Sequence, residues 1–253
     1  MDLQKAAKQL DQAANDASPI AQLSLKESFD LNEAYEIQRL AIAERLERGE
    51  QLIGLKMGFT SEAKMKQMGV HDMIWGRLTD SMLIPNGGET PLSKYIHPRA
   101  EPEICFRISK DISDEIALQD LPNYVGGVAA AIEIIDSRFE NFKFSLEDVV
   151  ADNCSSIGCV IGEWRDPKKD LRNLNMVQHF NDETVAQGSS NDILGDPWKS
   201  LQAATRLAAQ YREPIKAGHI IMAGAATAAV FMKQNSEVSA EVESLGKVSF
   251  RVV

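Results

Sequence analysis

From residue 52 to the end of the chain, the sequence is a succession of short β-like segments separated by turn signals, and this succession limits the possible folds most. Stretches rich in β-branched and aromatic residues alternate with turn formers such as Pro85-Asn86-Gly87-Gly88. Strands are predicted at residues 52–58, 82–84, 103–108, 128–135, 154–162, 174–180, 219–223, 236–243 and 247–252. Because few of them occur in strand–helix–strand order, the pattern favours a β-rich α+β fold with a mixed sheet over a doubly wound parallel sheet.

The N-terminal part of the chain has a helical pattern instead. Asp30-Leu31-Asn32-Glu33 has the form of a capping box, the apolar residues after it suit a helix, and Gly49 is a stop signal. Further helices are predicted at residues 61–68, 145–151 and 197–210. We therefore predict a small N-terminal helical portion over residues 1–50 and a β-rich catalytic domain over residues 51–253.

Composition and charge exclude several classes of protein. The formal net charge of −10 and the lack of a long basic stretch argue against a nucleic-acid-binding surface. The first residues lack the layout of a signal peptide, and no apolar run approaches the length of a membrane span. Cys105, Cys154 and Cys159 are odd in number and have apolar neighbours, so we expect reduced, buried thiols. These features predict a cytoplasmic protein with neither nucleic acid nor membrane as a partner.

The acidic pair in Glu101-Pro102-Glu103 is the clearest sign of a functional site. Residues two apart in a strand point to the same face, so both carboxylates are expected to project together at the start of the apolar run 104–108. Glu133 is a third acid with apolar β-formers on both sides, which indicates a buried position or a site. Buried carboxylates are costly without a counter-charge, and Mg²⁺ or Mn²⁺ prefers oxygen ligands. The alternative is a solvated Glu-x-Glu pair, since charged residues are mostly exposed.

Six strings of residues follow one another along the chain: Gly54–Ser61, Gly76–Asp80, Pro98–Ile104, Ile132–Arg138, Ala151–Ser155 and Gly218–Thr227. As an ordered set they resemble the fumarylacetoacetate hydrolase superfamily, in particular its branch of 2-oxopent-4-enoate hydratases and 2-oxo-3-hexenedioate (4-oxalocrotonate) decarboxylases. The resemblance implies a β-rich fold with a small N-terminal helical portion. It also implies one Mg²⁺ or Mn²⁺ held by three acids, which match Glu101, Glu103 and Glu133 here.

Within this branch, the strings Lys64–Val70, Glu101–Glu103 and Gly224–Ala229 are more similar to the decarboxylases. Hydrolases of the superfamily activate water with a histidine–glutamate arrangement, and no His-x-x-Glu string occurs here. The resemblance therefore implies decarboxylation of 2-oxo-3-hexenedioate in the meta-cleavage degradation of catechols. Hydration of 2-oxopent-4-enoate and a non-catalytic role in stabilising the hydratase remain alternatives. A homo-oligomer and a complex with the pathway hydratase are also expected.

The proposed chemistry requires a further cation, because the three acids exceed the charge of one divalent ion and a dicarboxylate substrate is a dianion. Lys56 lies in an apolar strand-like stretch between two glycines. We expect it to hold a substrate carboxylate or to assist proton movement; the alternative is a snorkelling lysine on an exposed strand face. Asp80 resembles a family acid that orients the lysine or carries a proton, and its alternative is a turn aspartate.

Four more residues are candidates for binding the substrate. Ser155 and Thr227 resemble hydroxyl donors to the substrate carboxylate, although each is also suited to satisfying backbone groups in a loop. Arg99 and Arg138 are candidates for the distal carboxylate, since a guanidinium binds a carboxylate in a bidentate way. Exposed salt bridges are the alternative for both arginines. None of the four histidines has a partner at a spacing that marks it as a base.

Overall fold

The computed structural model of the chain describes residues 1–61, 65–66 and 72–253. Two helices, α1 (Leu3–Asn15) and α2 (Leu31–Glu47), precede the strands. The predicted capping box begins α2: the Asp30 carboxylate accepts the Glu33 backbone N–H, and the Glu33 carboxylate accepts the Asp30 N–H, each at 2.9 Å. The sequence pattern does not separate the two helices, but the structure joins them by a mostly irregular segment with a 3₁₀ turn at Leu23–Leu25.

The rest of the described chain forms short strands in two sheets, together with α3 (Leu146–Ala151) and α4 (Pro197–Gln210). The strands are β1 (Leu52–Gly58), β2 (Ile74–Thr79), β3 (Leu83–Ile84), β4 (Glu89–Thr90), β5 (Arg99–Ile108), β6 (Val125–Ile135), β7 (Ser156–Ile161), β8 (Asn175–Phe180), β9 (Glu183–Ser189), β10 (Ile220–Ala225), β11 (Val230–Phe231), β12 (Ser236–Val242) and β13 (Gly246–Val252). As predicted, Asp196 caps α4 and Pro197 is its first residue.

The described strands form mixed sheets, as the predicted α+β class requires. The first sheet has the order β2-β1-β10-β5-β6-β7-β3, with β11 paired to β5, and the second has the order β4-β13-β12-β8-β9. The pair β1–β10 is parallel, whereas the pairs β10–β5, β5–β6 and β6–β7 are antiparallel. The triad predicted from the sequence therefore lies on two central strands, β5 and β6.

The sequence prediction was wrong about the start of β5. The strand begins at Arg99, four residues earlier than predicted, because Arg99 and Ala100 pair with β6 on one side and β11 on the other. Both acids of the Glu101–Glu103 pair therefore lie within the strand. The pattern also missed β2, β4, β9 and β11. Most of the predicted helix 61–68, with His71, lies outside the described residues.

The two faces of the first sheet have different surroundings. On β5 and β6, one face carries Ile104, Phe106 and Ile132, which belong to a large hydrophobic core shared with the second sheet and the helices. The opposite face carries the acids and, beside them, a second small apolar cluster that includes Cys105 and Met222. The face that carries the acids is therefore polar at one end and apolar at the other.

The N-terminal helices pack onto the strands through apolar contacts. Leu10 of α1 and Tyr35 of α2 belong to the same hydrophobic core as the strands, and the Tyr35 ring stacks on Trp75 of β2 with centroids 5.3 Å apart. The boundary at residue 50 stays a prediction. Cys105, Cys154 and Cys159 are free and buried. Among the described helices, none combines the length and the apolar character needed to cross a membrane.

Candidate metal centre

Three glutamates converge because of the register between β5 and β6. Glu101 is directly opposite Glu133 in this antiparallel pair, and Glu103 lies two residues further along the same face of β5. Each of the three offers a carboxylate oxygen within 4.8 Å of the others. Glu103 and Glu133 are fully buried and Glu101 is half-buried, so the group opens towards Glu101.

Glu103 is held on one side by the backbone of β10. Its Oε2 accepts the Gly224 N–H at 2.8 Å, whereas its Oε1 is buried without a hydrogen-bond partner among the described residues. Burial raises the pKa of Glu103 well above its usual value, and the carboxylates of Glu133 and Glu101 raise it further, against the opposing effect of Lys56. A positive group beside Oε1 would give this oxygen a partner and would offset the repulsion from the other two carboxylates.

Gly224 can make this contact because β10 carries a bulge. The register between β10 and β5 shifts between Met222 and Ala225, and Gly224 has a φ of 102°. A Cβ atom at this position would lie 2.1 Å from Thr60 Oγ1, so the site requires glycine for both its backbone conformation and its close packing.

Lys56 reaches the acids from β1. Its Nζ lies 3.1 Å from Glu133 Oε1 and 3.2 Å from Oε2, and the residue is only 4% exposed. Burial acts to lower the pKa of Lys56, but the carboxylates of Glu133, Glu101 and Glu103 outweigh it, so that the pKa is raised. Lys56 is therefore a buried ammonium group. The alternative of a snorkelling lysine on an exposed strand does not describe it.

The donor set suits a hard divalent cation. With Lys56 counted, the three carboxylates leave this buried group with a net charge of −2. All three offer oxygen ligands, and Glu103 Oε1 has no other partner in the part of the chain that the structure describes. Carboxylate oxygens with few competing bonds are typical Mg²⁺ and Mn²⁺ ligands.

Ser156 is a residue of this centre that the sequence prediction missed. Its hydroxyl donates to Glu133 Oε1 at 2.9 Å, and the residue is buried at the start of β7. A hydroxyl at the start of an apolar strand was the available signal. The predicted Ser155 immediately precedes it, and Ser155 Oγ is buried without a hydrogen-bond partner among the described residues. Two consecutive residues therefore carry buried hydroxyl groups, and that of Ser156 contacts Glu133.

Arg99 shares the face of β5 that carries Glu101 and Glu103. Its guanidinium carbon lies 4.2 Å from the ring centroids of both Phe142 and Phe231, and its Nε is buried without a hydrogen-bond partner among the described residues. Two aromatic faces therefore hold this cation next to the acids and leave hydrogen-bonding capacity for an anion.

Thr227 follows β10 and lies on the stretch of chain that runs along β5. Ala225 pairs with Glu103, and Val230 pairs with Ala100 further along the same strand, so Thr227 passes near Glu101. Its hydroxyl donates to the Ala228 carbonyl oxygen at 3.2 Å, which is the loop contact foreseen as the alternative.

Two predicted site residues lie apart from the centre. The exposed Asp80 accepts the backbone N–H groups of Gln51 and Ser81, as the turn alternative describes. Thr79, next to Asp80, pairs with Leu52, four residues before Lys56 on β1. Within the described part of the chain, no contact links Asp80 to Lys56.

The guanidinium of Arg138, predicted to bind the distal carboxylate, is bonded within the protein. The residue is buried, its Nε donates to the Asp152 carboxylate, and its Nη2 donates to the Asp152 carbonyl oxygen at 2.5 Å. Its Nη1 donates to the carbonyl oxygens of Asp136 and Ser156 at 2.5 and 3.5 Å. Because four of its N–H groups are engaged internally, Arg138 fixes the loop before β7 and leaves little capacity for a distal carboxylate.

The sequence model described as the C-terminal region of fumarylacetoacetate (FAA) hydrolase matches residues 55–253. The chain belongs to the fumarylacetoacetate hydrolase family. The family match spans β1 to β13 and so includes Lys56 and all three acids.

Relatives in the fumarylacetoacetate hydrolase family include two kinds of enzyme. A 4-oxalocrotonate decarboxylase from a Pseudomonas species is 50% identical over 99% of this chain and 98% of its own length. A 2-keto-4-pentenoate hydratase from Paraburkholderia xenovorans is 31% identical over 97% of this chain and 93% of its own. A solved structure of 4-oxalocrotonate decarboxylase from Pseudomonas putida G7, complexed with magnesium and adipate, has a TM-score of 0.95 and 35% identity over 99% of this chain and 97% of its own.

Proposed function

We propose that the chain is a metal-dependent 4-oxalocrotonate decarboxylase. It converts 2-oxo-3-hexenedioate to 2-oxopent-4-enoate and CO₂ in the meta-cleavage degradation of catechols. The decarboxylase that is 50% identical over almost the whole of both chains supports this substrate more strongly than the hydratase that is 31% identical. Adipate, the ligand of the similar solved structure, is a dicarboxylate with six carbons, as is the proposed substrate.

The observation that carries the proposal is the position of Arg99 relative to the acids. Arg99 lies two residues before Glu101 on the same strand face, which corresponds to about 7 Å along β5. That spacing suits a substrate with a carboxylate at each end, one near the acids and the other at the guanidinium. The hydratase substrate has a single carboxylate and would offer Arg99 no second carboxylate to bind.

Different residues of the chain bind different parts of the substrate. Glu101, Glu103 and Glu133 would hold Mg²⁺ or Mn²⁺, and the bound ion would supply Lewis-acid polarisation of the 2-oxo group. Arg99 binds the distal carboxylate in a bidentate way, with Phe142 and Phe231 fixing the plane of its guanidinium. The hydroxyl groups of Ser155 and Thr227 donate hydrogen bonds to the carboxylate next to the ketone.

Decarboxylation breaks the bond between C5 and the distal carboxylate carbon, and CO₂ leaves. The electron pair of that bond forms a new C4–C5 double bond, the former C3–C4 double bond moves to C2–C3, and the 2-oxo oxygen takes the negative charge. Lys56 provides a positive charge on the same sheet face as Glu101, where this charge develops, and its ammonium can supply a proton to the dienolate. Protonation of the dienolate at oxygen gives the dienol, and protonation at carbon gives 2-oxopent-4-enoate.

The test is to incubate the chain with Mg²⁺ and each candidate substrate. We expect CO₂ release from 2-oxo-3-hexenedioate and no formation of 4-hydroxy-2-oxopentanoate from 2-oxopent-4-enoate. Hydration without CO₂ release would replace the proposal with the hydratase function. Absence of both activities in the metal-loaded chain, with activity restored to an added hydratase, would identify a non-catalytic partner instead.

The same proposal extends to the cellular location, the oligomeric state and the partner of the enzyme. The meta-cleavage role implies a cytoplasmic homo-oligomer that associates with the pathway hydratase, because a reactive dienol is best passed on directly. Co-purification of this chain with the hydratase, and sedimentation of each alone, would test the association.

A further inference from the structure

Three consecutive residues before β7 have left-handed backbone conformations. The φ angles of Asn153, Cys154 and Ser155 are 50°, 51° and 60°. Such a run costs free energy, since left-handed conformations are normally adopted by single residues, and it persists only where the surrounding contacts hold it. All three residues are buried, so the contacts that hold them lie inside the protein.

The side-chain amide of Asn153 supplies two of these contacts, both with β2. Its Oδ1 accepts the backbone N–H of Arg77 at 2.7 Å, and its Nδ2 donates to the carbonyl oxygen of Arg77 at 2.8 Å. A neighbouring antiparallel strand residue would exchange the same pair of bonds with Arg77. The amide therefore joins the turn before β7 to β2, the strand at the opposite side of the first sheet.

This junction adjoins both partners of the ion pair in the metal centre. On one side, Gly76 is the register partner of Lys56, and a Cβ on Gly76 would come within 2.6 Å of the Asn153 carbonyl oxygen. On the other side, Ser156 directly follows the turn, and its hydroxyl donates to Glu133. The turn therefore links β2, which pairs with the Lys56 strand β1, to β7, which pairs with the Glu133 strand β6.

The β2 side of the junction is fixed independently of Asn153. The Arg77 guanidinium donates to Gln38 Oε1 at 2.7 Å and, through Nε, to Glu213 Oε2 at 2.9 Å, and it stacks over the Trp75 ring at 4.6 Å. Gln38, on α2, donates in turn to the Val150 carbonyl oxygen at 2.8 Å. Loss of the Asn153 amide bonds would therefore loosen the turn against β2, where the contact from Cys154 Sγ to the Trp75 carbonyl oxygen at 3.0 Å would remain, while β2 itself would stay in position.

We propose that Asn153 is a positioning residue of the metal centre. Its amide holds the left-handed turn against β2 and so sets the position of the Ser156 hydroxyl against Glu133, opposite Lys56. Asn153 acts through Ser156 and Glu133 and does not touch the reacting atoms. Partners that orient metal ligands typically contribute about 10- to 100-fold in metal affinity or activity. This proposal rests on the proposed function only for the measurement of kcat and KM; the measurement of Mg²⁺ affinity does not depend on it.

The test uses Asn153→Asp, which keeps the size of the side chain, its acceptor and its tolerance of left-handed φ but loses the N–H donor. We expect Mg²⁺ affinity, measured by titration calorimetry, to fall about tenfold, and kcat to fall more than KM rises. Asn181→Asp is the matched control: Asn181 has a φ of 53°, and its Oδ1 accepts the Glu237 N–H, a bond that aspartate keeps. Its Mg²⁺ affinity should equal that of the natural chain.

Two further variants keep the proposal falsifiable. Asn153→Gly adopts left-handed φ without strain and lacks both amide bonds, so it replaces the aspartate variant if that one does not fold. Ser156→Ala added to Asn153→Asp should weaken Mg²⁺ binding little beyond Asn153→Asp alone, because both act on Glu133 by one route. Unchanged Mg²⁺ affinity in the folded Asn153 variants, or fully additive losses in the double variant, would overturn the proposal. Failure of the natural chain to release CO₂ would overturn only the proposed function, since calorimetry needs no turnover.

Discussion

The Lys56 ammonium bridges the two carboxylate oxygens of Glu133, at 3.1 and 3.2 Å, inside a group of three acids. The pair joins β1 to β6, which are separated by two other strands in the order of the sheet. A bridging ammonium occupies part of Glu133, whereas Glu103 has a buried oxygen without a hydrogen-bond partner among the described residues. The roles of the two acids are therefore different, and variants should separate them.

Lys56→Met should lower turnover far more than Mg²⁺ affinity, because it removes the cation beside the developing charge but none of the three carboxylates. It should also cost the metal-free protein about 3 kcal/mol of unfolding free energy, since Glu133 loses its buried counter-charge. Lys247→Met is the matched control, because Lys247 pairs with Glu237 at 3.7 Å on the exposed surface, where such pairs contribute less than about 1 kcal/mol. Kinetics, calorimetry and thermal unfolding measure the three effects; a mild loss of turnover would remove Lys56 from the catalytic role.

Glu103→Gln should abolish activity and weaken Mg²⁺ binding while the fold survives. The amide oxygen can still accept the Gly224 N–H, but the side chain no longer supplies an anionic ligand. The metal-free variant should be at least as stable as the natural chain, because a neutral amide replaces a buried carboxyl group beside two other acids. Thermal unfolding without metal and Mg²⁺ titration test this, with Glu241→Gln as an exposed control. Unchanged turnover in Glu103→Gln would contradict the metal assignment.

Mg²⁺ binding should release protons, and Mg²⁺ affinity should fall as the pH decreases. Burial, with the neighbouring carboxylates, raises the pKa of Glu103 in the metal-free chain, so a fraction of Glu103 is protonated below that raised pKa and must lose its proton before it binds a metal ion. The loss of affinity therefore begins at the raised pKa and continues towards lower pH. Calorimetry in two buffers with different ionisation enthalpies counts the released protons. A proton count of zero across the neutral range would show that Glu103 is already ionised.

Arg99→Gln should raise KM for 2-oxo-3-hexenedioate by about 10- to 100-fold, the effect of losing a charge-assisted bidentate contact. Mg²⁺ affinity should stay within about twofold, since Arg99 is not a metal ligand. Arg107→Gln is the matched control, because Arg107 is an exposed arginine on the same strand and stacks on Trp164 at 4.9 Å. An unchanged KM for Arg99→Gln would move the distal carboxylate to another residue.

Gly224→Ala should disrupt the metal centre, whereas Gly218→Ala should only reduce stability by about 1 kcal/mol. Both glycines have left-handed backbone conformations, with φ of 102° and 92°, so the backbone strain is similar in the two variants. Only at position 224 would the new Cβ meet a neighbour, Thr60 Oγ1 at 2.1 Å. Thermal unfolding and Mg²⁺ titration of both variants separate strain from close packing. Equal effects on Mg²⁺ affinity would show that the bulge at Gly224 does not position Glu103.

Strand periodicity is local, so the sequence alone was enough to place two of the acids on one face. Two residues apart in a strand share a face, and this rule brought Glu101 and Glu103 together before any pairing was known. The meeting of Glu101 with Glu133 depends on the register between β5 and β6, which the spacing alone does not give. The sequence pattern also missed β2. Its six residues are all buried, so apolar and polar residues do not alternate along it, and Gly76 and Arg77 interrupt the apolar run.

Residues whose roles depend on their neighbours in the fold were harder to assign from the sequence. Arg138 and Arg99 are equally plausible anion-binding residues in the printed sequence. The structure separates them because Arg138 is saturated by Asp152 and nearby carbonyl oxygens, whereas Arg99 lies between two rings. Ser156 was missed because a left-handed turn, which residue spacing does not reveal, decides which hydroxyl reaches Glu133.

The alternation of β5 also protects the chain against folding incorrectly. One face of β5 carries Glu101 and Glu103, and the other carries Ile104 and Phe106 in the core between the sheets. A slip of one residue against β6 would exchange the faces and bring both carboxylates into apolar surroundings without a counter-ion. The acids proposed to hold the metal thus also disfavour the wrong strand alignment, so the residues of the candidate site help to determine the fold.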